Sequence, residues 1–154
     1  MAEVKLIPVE KDEIKSLITL AFEGDNELLD IYHKLAPATL EECVNNTFAF
    51  INENKDFYNE DMLCFKVTVN GIEVGYTITI KNETFPNELY SFGIKKEFRT
   101  WEITSQWLNK INELLGLPYY MVLWSKNTRA INFFERNGFI SEERNDLKKL
   151  IIKV

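Results

Sequence analysis

A single α/β domain spanning residues 1–154 is the fold class the sequence predicts, and three observations predict it. Two β-rich runs, Met62–Val69 and Ile72–Ile80, are joined by Asn70-Gly71, a pair whose tolerance of positive φ suits a tight type I′ hairpin turn. On both sides of this hairpin apolar residues recur at three- and four-residue spacing, so the chain passes from a helical period to a strand period and back. A length of 154 residues with 45% hydrophobic content suits one domain with one core.

The elements can be justified in order. Between Glu3 and Glu10, Val4, Leu6 and Pro8 alternate with polar partners, which predicts a first strand with its proline near the end. From Lys11 to about Phe22, Ile14, Leu17, Ile18 and Ala21 make the apolar face of a helix that Gly24-Asp25-Asn26 breaks. A second helix is predicted through Leu28, Leu29, Ile31, Tyr32 and Leu35; it stops at Ala36-Pro37, because the residue before a proline is pushed out of the helical region. Thr39-Leu40-Glu41-Glu42 has the form of a capping box, and Cys43, Thr47, Phe48 and Ile51 continue an apolar face behind it.

After the hairpin, Lys81 to Asn87 is polar, contains Pro86 and reads as a loop. Glu88–Ile94 follows as a strand, with Tyr90 and Ser91 expected on opposite faces. Trp107, Leu108, Ile111, Leu114 and Leu115 form a helical stripe ended by Gly116 and Pro118, and Tyr119–Trp124 is a strand of the buried type. Asn127 is a good cap for a helix whose inward face is Ala130, Phe133 and Phe134, with Gly138 as its left-handed stop. Phe139–Ser141 and Leu147–Val154 are two closing strands around the charged loop Glu142 to Asp146.

Composition narrows the partners. A net charge of -6 with scattered lysines argues against nucleic acid. No apolar run reaches 18 residues, and Met1–Lys5 lacks the apolar stretch of a signal peptide, so a cytoplasmic protein with no membrane partner is expected. Cys43 and Cys64 have no CxxC spacing and only His33 as an imidazole companion, which disfavours both a metal site and a disulfide. Both thiols are expected to be small buried hydrophobes.

Asn127, Ala130, Gly138 and Phe139 stand at the offsets of the last motif of the GCN5-related N-acetyltransferases, roughly Asn-x-x-Ala-x-x-x-Tyr-x-x-x-Gly-Phe. With the order strand, helices, hairpin, strand, helix, strand, helix, two strands, the chain resembles that GNAT family over nearly its whole length, most specifically from Glu88 to Phe139. The resemblance implies a mixed, mostly antiparallel sheet of six or seven strands flanked by helices, splayed between Glu88–Ile94 and Tyr119–Ser125. It implies acetyl-CoA as cofactor, its pantetheine arm paired with the fourth-strand backbone at Phe92 and Ile94. Asn127 then bonds that arm while capping its helix, and Ala130 lets the cofactor approach.

Two motifs depart from the family pattern, at three positions. Its pyrophosphate motif, Arg/Gln-x-x-Gly-x-Gly/Ala, aligns with Arg99–Thr104; Arg99 fits, but Glu102 and Thr104 replace small residues. Side chains there obstruct a backbone N–H cradle, and a carboxylate in the first helical turn repels phosphate. If the cofactor binds, Trp101 stacks on the adenine and Thr100 or Thr104 donates hydroxyl hydrogen bonds. The motif tyrosine, which in members that use it protonates the departing thiolate, is Phe134, whose ring has no proton to give. Glu88 at the start of the fourth strand is the candidate general base.

Two readings follow. One is an acyl-CoA-dependent N-acyltransferase acting on an amine-bearing small molecule or protein. The other is a catalytically silent protein of the same fold, such as a bacteriophage particle component or a regulatory subunit, with a protein partner or a second copy of itself. The loss of the glycines and the tyrosine motivates the second, and the Asn-, Lys- and Ile-heavy composition suits an A/T-rich phage or bacterial genome. The expected acceptor wall, Asp25 to Asn59, names no acceptor.

Overall fold

A computed structural model describes residues 2–25, 39–53, 62–82, 86–145 and 148–153. The chain runs from β1 (Val4–Pro8) through a 3₁₀ turn (Lys11–Glu13) into α1 (Ile14–Phe22), then to α2 (Leu40–Glu53) and the hairpin strands β2 (Met62–Val69) and β3 (Ile72–Ile80). Next come β4 (Asn87–Ile94), a second 3₁₀ turn (Lys96–Phe98), α3 (Trp101–Leu115) and β5 (Tyr119–Trp124). α4 (Thr128–Arg136), β6 (Ile140–Glu143) and β7 (Lys148–Lys153) complete it. The helix predicted through Leu28 to Leu35, and His33 with it, lies outside the described residues.

Local chemistry sets the element ends. Asn70 and Gly71 take φ of 52° and 83°, as the hairpin turn demands. Thr39 Oγ1 accepts a hydrogen bond from the Glu42 N–H at 3.2 Å, which is the Thr half of the expected capping box. Gly116 stops α3 at φ 68°, and Gly138 follows α4 at φ 88°.

The strands form one sheet in the order β1-β2-β3-β4-β5-β7-β6. Every neighbouring pair is antiparallel except β4 and β5. Each face carries its own apolar cluster. α1 and α2 cover one face over Tyr76, Ile78 and Ile80, and α3 and α4 cover the other over Leu89, Tyr119, Met121 and Ile151. Cys43 and Cys64 are buried free thiols on the α1/α2 face, as expected of small hydrophobes. Burial raises both thiol pKa values, that of Cys64 to about 11, so neither is a ready nucleophile.

Two glycines let the backbone close up beside the centre of the sheet. A Cβ on Gly75 would lie 2.0 Å from the Gly93 carbonyl oxygen, and one on Gly93 would lie 2.9 Å from the Ala21 Cβ. α1 therefore rests directly on the backbone of β4.

Candidate active site

The parallel pairing of β4 with β5 lasts for two residue pairs, Asn87 with Tyr119 and Glu88 with Tyr120. Beyond them the strands part. β4 continues against β3 alone, and β5 against β7. Aromatic rings stand at the parting on the α3/α4 face: Phe92 meets Phe134 edge-on at 5.6 Å between centroids, and Phe134 also meets Phe133 at 5.2 Å and Phe139 at 5.0 Å. Trp107 is anchored beside them by its Nε1–H, which donates to Thr77 Oγ1 at 3.0 Å. The gap widens into a cleft of about 590 Å³ between β4, the start of α3 and α4.

β4 is also irregular. Ile78 of β3 pairs with Ser91 but Thr79 pairs with Leu89, so Tyr90 is one extra residue, a β-bulge. Tyr90 packs with the α1/α2 cluster, and Ser91 Oγ lies 2.9 Å from the Tyr76 hydroxyl of that same cluster. The expectation that Tyr90 and Ser91 face opposite ways is therefore wrong: the bulge breaks the alternation and sets both on the α1/α2 face.

The cleft gathers most of the sequence-predicted residues. Phe92, Ile94, Arg99, Trp101, Thr104, Asn127 and Phe134 line it. Trp101, 67% exposed, stands on one lip. Thr100 is not among the lining residues; its Oγ1 accepts from the Ile103 N–H at 3.4 Å and caps α3. Thr104 Oγ1 donates to the Thr100 carbonyl at 2.9 Å.

Arg99 is held within the fold. Its Nη2 pairs with Asp25 Oδ2 at 2.5 Å, and its Nε donates to the Ile94 carbonyl at 2.7 Å. That bond also occupies the Ile94 carbonyl, which the resemblance assigned to the pantetheine arm. Asp25 is 2% exposed, so the pair is sunk in the cleft wall.

Glu102 is likewise turned to structure. Its Oε1 accepts from the Ala2 N–H at 2.9 Å, while one turn on Gln106 accepts from the Val4 N–H at 3.2 Å and donates to the Ala2 carbonyl at 2.9 Å. The two side chains tie α3 to the start of β1. Glu102 is absent from the cleft lining, to which its neighbours Trp101 and Thr104 belong.

Asn127 occupies the N-cap position of α4, yet its side chain makes no capping hydrogen bond, and no acidic residue stands in the first turn of that helix. The residue is part of the cleft lining. The expectation that it caps its helix is corrected. With φ at -80° and ψ at 62°, its backbone departs from the extended geometry usual at an N-cap.

Glu88 lies outside the cleft lining, at the root where β4 and β5 are still paired. It is 9% exposed, and Oε1 accepts from the Tyr120 hydroxyl at 3.1 Å. Burial raises its pKa, and the Tyr120 hydrogen bond pulls the other way. By strand alternation from Leu89, which belongs to the α3/α4 cluster, Glu88 faces the α1/α2 side. The cleft also holds residues the sequence reading did not assign to it. Arg129 and Arg136 line it with Phe133. Their spacing of four and three residues on one helix was the available signal.

A sheet opened between its fourth and fifth strands, with a cleft at the opening, is the architecture that the GNAT resemblance implied. No family model and no curated protein matches the sequence. Solved structures do match. An acetyltransferase from Thermus thermophilus superposes at a TM-score of 0.70 and 18% identity, covering 97% of this chain and 96% of that one. PaiA N-acetyltransferase from Thermoplasma acidophilum, solved with coenzyme A, gives 0.72 and 15% over 98% of both chains. A variant of spermidine N-acetyltransferase SpeG from Vibrio cholerae gives 0.63 and 13% over 98% and 93%. The chain has the GNAT acetyltransferase fold.

Among the described residues no group of acidic, histidine or cysteine side chains is placed to hold a metal ion, and no helix is long and apolar enough to cross a membrane.

Proposed function

We propose that the chain is an acyl-CoA-dependent N-acyltransferase whose cofactor arm lies along β4. What supports this reading is the parting of β4 from β5 after two residue pairs, beside a cavity of about 590 Å³. The β5-facing backbone of residues 89–93 is left without a strand partner, and an extended arm carrying amides suits such an edge because it can complete the missing ladder. On this reading Asn127 bonds that arm, Ala130 leaves room for it and Trp101 offers a ring for the adenine; all three line the cavity.

Acetyl-CoA supplies the acyl group as a thioester. The chain's own part is to bind and to move a proton. On this reading the acceptor amine enters from the α1/α2 face and gives its proton to a Glu88 carboxylate oxygen, with the Tyr120 hydroxyl holding that carboxylate in place. The acceptor is an amine-bearing small molecule or protein; because the Vibrio cholerae protein is named for spermidine, polyamines open the screen. A thermal-shift series with acetyl-CoA, followed by thiol release against a polyamine panel, tests the proposal. A melting temperature unchanged by millimolar acetyl-CoA would sink it.

One observation favours a second reading, a silent protein of this fold that works through a protein partner or its own copies, as in a phage particle or a regulatory subunit. Phe134 is fully buried in an aromatic cluster and supplies no acid at the motif position. Cofactor-dependent thiol release above the uncatalysed rate would exclude it.

A further inference from the structure

We infer that the phosphate-bearing end of the acyl carrier is gripped from α4, by Arg136 and Arg129, rather than at the start of α3 where the sequence motif lies. The inference rests on the acyl-CoA reading above. Charge is its first ground. The chain carries a net charge of -6, yet three arginines and one aspartate line the cleft. A concave site that opposes the sign of the whole protein concentrates anions against the surrounding field. Asp25 balances the charge of Arg99, so the net positive charge of the lining is that of α4.

Spacing is the second ground. Arg129, Phe133 and Arg136 stand at i, i+4 and i+7, so one stripe of α4 faces the cleft with an aromatic ring between two guanidinium groups. The two arginines are about 10 Å apart along the helix axis. That pattern suits a ligand with separated phosphates and a flat apolar portion between them, since the guanidinium fork matches phosphate oxygens. Arg136 makes no hydrogen bond or ion pair among the described residues.

The third ground is what the start of α3 has already done with its polar groups. Thr100 accepts from the Ile103 N–H, Thr104 donates to the Thr100 carbonyl, and Glu102 holds the Ala2 N–H. The side chains of that turn are thus engaged within the fold.

Calorimetry on the full chain with CoA, dephospho-CoA and pantetheine tests the inference, using Arg136→Gln, Arg129→Gln and Thr104→Ala. Both arginines are exposed, so the fold should survive; an unchanged melting temperature for each variant checks this. The expected result is an about tenfold loss of CoA affinity for each arginine variant, with pantetheine unaffected. A loss on dephospho-CoA as large as on CoA assigns that arginine to the pyrophosphate, and a smaller one to the 3′-phosphate; both support the grip from α4. Three results overturn it: CoA affinity unchanged in both arginine variants, an equal loss on pantetheine, or a larger loss in Thr104→Ala. If the wild-type chain binds none of the three ligands, the acyl-CoA reading falls first and takes the inference with it.

Discussion

α3 and α4 both begin at the cleft, and they begin in opposite ways. α3 has a threonine cap, an acidic residue in its first turn and an arginine pinned just ahead of it. α4 has no side-chain cap and no acid in its first turn, and Asn127, Arg129 and Arg136 belong to the cavity lining. The first arrangement stabilises the fold, because a cap satisfies an orphan N–H and a carboxylate suits the positive end of the helix dipole. The second gives up that stabilisation and sets polar and charged residues along the cleft. On the inference drawn above, phosphate binding falls to the helix that carries the fold marker and not to the helix aligned with the phosphate motif.

Substitutions can break or sharpen this contrast. The largest effect is expected from Arg99→Met, which leaves Asp25 buried without its main cation; removal of one member of such a pair costs about 3 kcal/mol. Urea unfolding measures it, and a loss below about 1 kcal/mol would show that the pair is not structural. Thr100→Ala comes next, at about 1 kcal/mol for the lost cap. Its 3.4 Å bond is long, which places it toward the weaker end of that range.

Asn127→Ala should change stability by less than about 0.5 kcal/mol, since no cap is lost, while weakening the binding of acetyl-CoA. Equal destabilisation by Thr100→Ala and Asn127→Ala would erase the distinction between the two helices. The root of the cleft supplies a control outside both. Burial holds the Glu88 pKa above its usual 4.5, so the folded chain binds that proton more tightly than the unfolded one. The stability this contributes is full below 4.5 and is lost as pH rises through the folded value. Glu88→Gln, which carries no charge, should therefore gain on wild type between about pH 4 and pH 7. A melting-temperature difference that stays constant over that range would contradict the burial argument.

Features set by neighbouring residues were legible in the sequence. Asn70-Gly71, Gly116 and Gly138 announced their turns, and the expected sheet of six or seven strands has seven. Features set by residues far along the chain were not. Arg99 is claimed by Asp25, 74 positions away, and Glu102 by Ala2, 100 positions away. The place of Glu88 at the start of a strand was legible, but its burial and its hydrogen bond from Tyr120, 32 positions on, were not. The bulge at Tyr90 has no local signature, because an extra residue is visible only against the partner strand. The stripe on α4 was legible as a spacing; what it lacked was the knowledge that its outer face overlooks a cavity.

β7 lies between β5 and β6 in the sheet, although both precede it in the chain. During synthesis β1 to β4 can pair with one another as soon as they emerge, while β5 has only two residue pairs with β4 until the 148–153 segment arrives. One wall of the cleft is thus built early and the other late. Ribosome-bound chains stalled before Lys148 are expected to protect the amides of β2 and β3 from hydrogen exchange and to leave those of β5 open; protection of both would show that the second wall closes without its centre strand.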